Sequence, residues 1–263
     1  ATPTEALTGL ALHSFYDANP YRYLLQRPFR SPHHSASSAA LVGGGSKPQP
    51  GEISLAHGGV LFLDELPEFS RQSLEMLREP LESGEICLAR AQHKVTYPAR
   101  FQLVAAMNPC PCGYLGDAQR ACRCSEAQLQ RYRQRISGPL LDRIDMHVMV
   151  SRLRPGILLK APGSGEPSAL VRERVSATHE RQMQRQQCPN NQLNAMTLAS
   201  TCLLEKPNEQ YISSVAERMH LSARAIHRTL RVARTIADME GAKAVERDHI
   251  NEAIGYRQQE PPP

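Results

Sequence analysis

The stretch GGVLFLDELPEF, Gly58 to Phe69, constrains the fold more than any other: four consecutive apolar residues run into Asp64-Glu65 and then a proline. A short apolar run with β-branched and aromatic members, opened by Gly-Gly and closed by a breaker, is the pattern of a strand buried on both faces, as in a parallel sheet. A strand over 59–63 places Asp64 and Glu65 at its carboxyl end. Ligands of open α/β sheets bind at that edge, so the two acids are candidates for metal and water chemistry. The alternative is a core strand that ends in two solvated acids. A second apolar run, Phe101 to Ala106, ends in Asn108-Pro109. Two such strands in one sheet present Asp64-Glu65 and Asn108 on a common edge. Phosphoryl transfer needs such an arrangement: a carboxylate to hold Mg²⁺, a group to orient attacking water, and a polar side chain near the terminal phosphate.

The remaining sequence predicts an α/β part followed by an all-helical part. Residues 1–20 read as a short helix with Leu7, Leu10, Ala11 and Phe15 at helical spacing, followed by a Pro-, Gly- and Ser-rich loop from Arg27 to Glu52. Ser70 is an N-cap candidate for a helix that sets Leu74, Leu77 and Leu81 on one face and stops at Gly84. Two short strands flank RAQHK (Arg90 to Lys94), and SEAQLQRYRQRISGPLLDRIDMHVMV predicts a helix, a Gly-Pro break, a short helix and a strand. The segment 154–167 reads as a linker between a core over 1–153 and a helical domain over 168–260. In the latter, the clearest helix turns Ala225, Ile226, Leu230, Val232, Ala233 and Ile236 inward and stops at Gly241.

The net charge of +5 is carried by 26 Arg against 5 Lys. Arginine suits planar, bidentate contact with phosphate or carboxylate, which permits a nucleotide or nucleic-acid partner without requiring one. With no Trp and few aromatics, stacking platforms for single strands are scarce. No run reaches membrane-spanning length, and ATPTEALTGLALHSF lacks the basic segment and apolar core of a signal peptide, so a soluble, cytoplasmic protein with no membrane partner is expected.

Seven cysteines without an export signal argue against a disulfide framework. Four of them, Cys110, Cys112, Cys122 and Cys124, form two Cys-x-Cys pairs nine residues apart, with Gly113 and Gly116 to let the loop turn. Such pairs can meet around one tetrahedral zinc, although zinc prefers Cys-x-x-Cys. Free loop thiols or redox-sensing thiols are the alternatives. His33-His34, adjacent and without a nearby acid or cysteine in sequence, reads as part of the loop, and the run Arg131, Arg133, Arg135 as a solvated helix face.

Taken together, GEISLAHGGVLFLDELPEFSRQSLEMLREPLESGEICLARAQHKVTYPARFQLVAAMNPCPCGYLGD, SGPLLDRIDMHV and LSARAIHRTLRVARTIADMEG resemble the ComM/YifB branch of the magnesium-chelatase-related AAA+ ATPases, from about Arg27 onward. The resemblance implies an AAA+ P-loop-type core with a parallel sheet and a small all-α lid. It also implies a homo-hexameric ring that uses ATP and Mg²⁺ to migrate branched DNA intermediates in natural transformation. In that resemblance Asp64 and Glu65 form the Walker B pair, Asp64 towards Mg²⁺ and Glu65 towards the attacking water. Asn108 matches sensor 1, Arg143 in LLDRID the arginine finger, and Arg224 in LSARAIHR sensor 2. The hairpin tip with Arg90, His93 and Lys94 matches the one that points into the central channel, where six copies make a belt suited to phosphate backbones. Read without the resemblance, Arg143 is a surface ion pair with Asp142 or Asp145, and Arg224 a solvated arginine in a first helical turn.

One element of that family is absent. A P-loop requires Gly-Lys followed by Ser or Thr, yet the five lysines here follow Ser, His, Leu, Glu and Ala. In the family the P-loop lies just upstream of the segment that opens here, so the chain is expected to be a fragment, inactive alone. Two competing readings share the remaining motifs: the ATPase subunit of a Mg²⁺ or Co²⁺ chelatase, and a non-enzymatic zinc-bearing DNA-binding or scaffold protein.

Overall fold

A computed structural model describes residues 3–24, 26–45, 48–90, 93–117, 119–150 and 165–257, without the side chains of Arg90 and His93. The chain divides into two compact units, 1–144 and 145–263.

The described residues of the first unit form seven strands: β1 (Phe29–Arg30), β2 (Gly43–Gly44), β3 (Gln49–Pro50), β4 (Val60–Leu63), β5 (Glu85–Arg90), β6 (His93–Pro98) and β7 (Gln102–Ala105). β1, β4 and β7 form a parallel sheet in that order, with Phe29 opposite Val60, and Val60 to Leu63 opposite Gln102 to Ala105. The two glycines before β4 have separate reasons. Gly58 has φ 73°, and a Cβ on Gly59 would lie 1.9 Å from the Pro28 carbonyl oxygen, so β1 can approach β4 only where no side chain stands.

Burial on both faces of β4 is not what the sheet shows. Leu61 and Leu63 face a core with Leu41, Ile53, Leu66, Phe69, Leu74, Leu77, Ile86, Ile136 and Leu140. On the opposite face Val60 and Phe62 are half-buried, Val104 is exposed, and Phe29, 64% exposed, stacks on Phe62 at 6.2 Å. No described helix covers that face, so the unbroken apolar run has one packed side.

The helix expected from Ser70 to Gly84 is two pieces, Arg71–Met76 and Pro80–Ser83. Ser70 caps the first, its Oγ accepting the Ser73 N–H at 3.1 Å, while Pro80, with no N–H to donate, breaks the ladder. Gly84 ends the second in the left-handed region, its N–H donating to the Pro80 carbonyl. The first helix spans Pro3–His13 and buries Gly9, Leu12 and His13. The expected face is displaced: Leu7 is 62% exposed and Phe15 lies beyond the helix. His13 sets this rotation, its ring 3.0 Å from the Leu55 carbonyl oxygen and stacked on Tyr23.

β5 and β6 form the expected antiparallel hairpin, Arg90 opposite His93, with residues 91–92 outside the described residues. The Gly-Pro break separates helices Glu126–Arg133 and Gly138–Leu141. The strand expected within DMHVMV is absent from the described residues 145–150. Met146, Val148, Met149 and Val150 are exposed there, and the His147 N–H donates to the Tyr256 carbonyl, so no strand among the described residues covers the run. Of the linker expected over 154–167, residues 154–164 lie outside the described residues.

The second unit is helical: Ser168–Gln186, Ala195–Cys202, Lys206–Arg218, Ala223–Glu240 and Arg247–Gly255. Its core joins Leu198, Val215, Leu230, Ala233, Ala237 and Ile250, with Ile226, Val232 and Ile236 packed against them. Gly241 ends the fourth helix in the left-handed region as expected. Beneath that helix lies a buried charge cluster which the apolar periodicity does not announce. Asp238, 2% exposed, accepts from Arg234, itself 0% exposed, at 2.8 Å, and from Arg185 and Asn190 at 2.9 Å.

Candidate functional site

Because β1, β4 and β7 run parallel, the segments that follow them emerge at one sheet edge. Two backbone bonds prolong the pairing of β4 and β7 beyond the strands. Ala106 N–H donates to the Leu63 carbonyl at 2.9 Å, and Leu66 N–H to the Ala106 carbonyl at 3.0 Å. Asp64 and Glu65 therefore leave the sheet beside the segment that carries Asn108, and all three are exposed. Asp64 Oδ1 accepts the Glu65 N–H at 2.9 Å, and Glu65 sits in the left-handed region with φ 51° and ψ 47°. Exposed carboxylate oxygen is the hard donor that Mg²⁺ selects, so Asp64 fits such an ion.

A histidine of the Pro-, Gly- and Ser-rich segment also reaches this edge. His34, four residues beyond β1, places Nδ1 3.1 Å from Glu65 Oε2, with its ring edge-on to Phe69 and 4.0 Å from His33. No acid lies near it in sequence, but the parallel topology supplies one. A polar residue shortly after a strand of the same parallel sheet is the signal that would have found it.

The other candidates are placed elsewhere. Arg143, 8% exposed, donates to the Glu82 carboxylate and to the Pro139 carbonyl at 2.7 Å, within the first unit. Its acid partner is thus neither Asp142 nor Asp145, and Asp145 pairs instead with Arg228 at 2.7 Å. Arg224 is exposed in the first turn of helix Ala223–Glu240, in the second unit. Lys94 is exposed on β6, while the side chains of Arg90 and His93 lie outside the described residues. Of the run Arg131, Arg133, Arg135, the last is tied to Glu68 at 2.8 Å and to the Pro67 carbonyl at 3.1 Å.

Two residues beyond Asn108 the chain enters the cysteine loop. Cys110, fully buried, lies with Sγ 3.3 Å from that of Cys112 and 3.7 Å from that of Cys122. The Cys112 and Cys122 sulfurs are 3.6 Å apart. With Cys124 these are four free thiols whose sulfurs all lie within 4.8 Å of one another, the group among the described residues that can hold a metal ion. Backbone N–H groups of Arg123 and Tyr114 pull the Cys112 thiol down to about 6. The Cys124 N–H pulls Cys122 the same way, but burial and the neighbouring thiols push it up to about 12.

A parallel sheet with polar residues gathered at one edge, followed by a separate helical unit, defines an AAA+-like α/β core with a helical C-terminal domain. The chain belongs to the magnesium chelatase, subunit ChlI family. Residues 1–158 match that family and residues 165–257 match magnesium chelatase, subunit ChlI C-terminal. It is 50% identical over 255 residues to the uncharacterized protein YifB of Salmonella typhimurium, covering 96% of this chain and 50% of that protein. It is 51% identical over 232 residues to the competence protein ComM of Haemophilus influenzae, covering 88% and 45% respectively. Identity to the magnesium-chelatase 38 kDa subunit of Cereibacter sphaeroides is 26% over 220 residues, covering 80% of this chain and 57% of that subunit. The chain spans about half the length of the curated YifB and ComM relatives it matches. No helix among the described residues is long and apolar enough to cross a membrane.

Proposed function

We propose that this chain is part of a cytoplasmic, homo-hexameric ATP-dependent DNA motor of the ComM type, a helicase that migrates branched recombination intermediates in natural transformation. The observation that carries this reading is the similarity itself, 51% to the competence protein against 26% to the chelatase subunit. In the intact protein Asp64 would hold Mg²⁺, and the ion would supply charge neutralisation at the nucleotide phosphates. Glu65 orients the attacking water, with Asn108 and Arg224 towards the phosphates. Arg143 serves a neighbouring subunit's nucleotide by exchanging the Glu82 carboxylate for phosphate. Such a finger is worth about three to five orders of magnitude in rate. The hairpin with Arg90, His93 and Lys94 contacts DNA, and Cys110, Cys112, Cys122 and Cys124 hold a structural zinc ion.

The test is ATP hydrolysis with and without branched DNA. The intact protein should turn over faster with DNA, while the 263-residue chain, which has no Gly-Lys dipeptide, should show no turnover at any Mg²⁺ level. In the intact protein, replacing Arg90 and Lys94 by Ala should weaken DNA binding across sequences, flatten its salt dependence and leave basal hydrolysis in place. If DNA leaves the wild-type rate unchanged, a chelatase ATPase subunit becomes the better reading.

A further inference from the structure

Four sulfurs held about 2.3 Å from one central ion stand about 3.8 Å from one another, the edge of a Zn–S₄ tetrahedron. The separations of 3.3, 3.6 and 3.7 Å fall 0.1 to 0.5 Å short of that edge, with Cys124 within 4.8 Å of the other three. Sulfurs of the cluster also accept backbone N–H groups, among them Cys110 from Leu115 at 3.3 Å and Cys122 from Cys124 at 3.5 Å, the kind of contact that orients metal-bound thiolates.

The cluster is also mechanically joined to the sheet edge. Cys110, its fully buried member, is separated from Asn108 only by Pro109, whose ring fixes the backbone between them. The Asn108 carbonyl accepts the hydroxyl of Tyr132 at 3.2 Å, and Tyr132 is itself buried. On the other side, Ala106 is pinned by its bonds with Leu63, the last residue of β4, and with Leu66 just beyond it. The three residues Ala106 to Asn108 thus span a short bridge between the sheet and the cysteine loop.

We propose that zinc bound by Cys110, Cys112, Cys122 and Cys124 is the anchor of that bridge, so that metal occupancy fixes Asn108 beside Asp64 and Glu65. This rests on the zinc reading given above and adds to it a positioning role, which is tested separately.

The 263-residue chain, purified under reducing conditions without chelator, should carry about one zinc per chain. Cobalt exchanged into it should give the intense near-ultraviolet thiolate-to-cobalt bands of a tetrahedral sulfur site. Stripping the metal with chelator and reductant should then raise hydrogen exchange at the Ala106 and Leu66 amides at least tenfold, with the Val60 amide, bonded to the Pro28 carbonyl at 2.9 Å, unchanged. Tyr132→Phe should keep the full zinc content yet raise exchange at the same two amides, separating the bridge from the metal itself. Absence of metal and of cobalt bands overturns the zinc reading. One zinc per chain with Ala106 and Leu66 exchange indifferent to its removal overturns the positioning role alone. Loss of protection throughout the sheet, Val60 included, overturns it too, since the metal would then hold the whole unit rather than this edge.

Discussion

Glu65→Gln in the intact protein should lower the ATP hydrolysis rate by about two to four orders of magnitude, the contribution expected of a group that accepts a proton from or orients attacking water. Binding of ATP and Mg²⁺ should survive, because the proposed function gives the metal to Asp64 and the amide that replaces the Glu65 carboxylate keeps its size. Asp64→Asn should give the reverse division, with the Mg²⁺ dependence shifted to higher concentration as well as the rate reduced. The geometry behind this contrast is that Asp64 and Glu65, although adjacent, are presented differently. Asp64 is folded back onto the Glu65 N–H, whereas Glu65 reaches His34. Single-turnover phosphate release alongside equilibrium binding of a fluorescent nucleotide separates the two effects. A Glu65→Gln rate within tenfold of wild type would remove Glu65 from the chemistry.

The second large effect is on stability. Asp238→Ala should destabilise the helical unit by about 3–5 kcal/mol, because it strands Arg234 in the core without its counter-charge. For a unit of this size that corresponds to melting about 10 °C lower or more. The same group makes stability depend on pH. Burial alone would raise the Asp238 carboxyl, but the bonds from Arg185 and Asn190 and the charges of Arg234 and Arg185 outweigh it, and the net shift is downward. A depressed folded-state value means that the contribution is complete above the ordinary aspartate value of 3.8 and is lost as pH falls below it. Thermal melts from pH 7 to pH 3 should therefore show wild type losing stability towards the acid end while Asp238→Ala loses less. Parallel curves would mean that the carboxylate is not what the arginines depend on.

Both units show where sequence reading succeeds and where it stops. The parallel strands, the hairpin, the cap at Ser70 and the stop at Gly241 were legible because each is written in local chemistry: an apolar run, an oxygen before a helix, a glycine where φ is positive. Gathering of the four cysteines was legible too, since their spacing fits a single loop. Most of what escaped depends on partners remote in sequence, Pro80 being the local exception. Pro80 splits a helix whose leucine spacing runs straight through it, and His13 turns the first helix by gripping Leu55 and Tyr23. His34 meets Glu65 across 31 residues of sequence, and Asp238 collects Arg185 and Asn190 across 53 and 48. DMHVMV has the alternation of a strand, but alternation is only a readiness to pair, and no described strand lies beside it.

The left-handed backbone at Glu65 has an evolutionary side. An L-residue with a Cβ is disfavoured there by about 1–2 kcal/mol, a penalty that glycine largely escapes. Selection for thermal robustness alone would therefore push this position towards glycine, and β-branched residues would be excluded outright. The glutamate at this position of the chain is held against the local gradient of stability. Survival of the acid through random mutagenesis screened only for folding, compared with mutagenesis screened for activity, would measure the strength of that opposition.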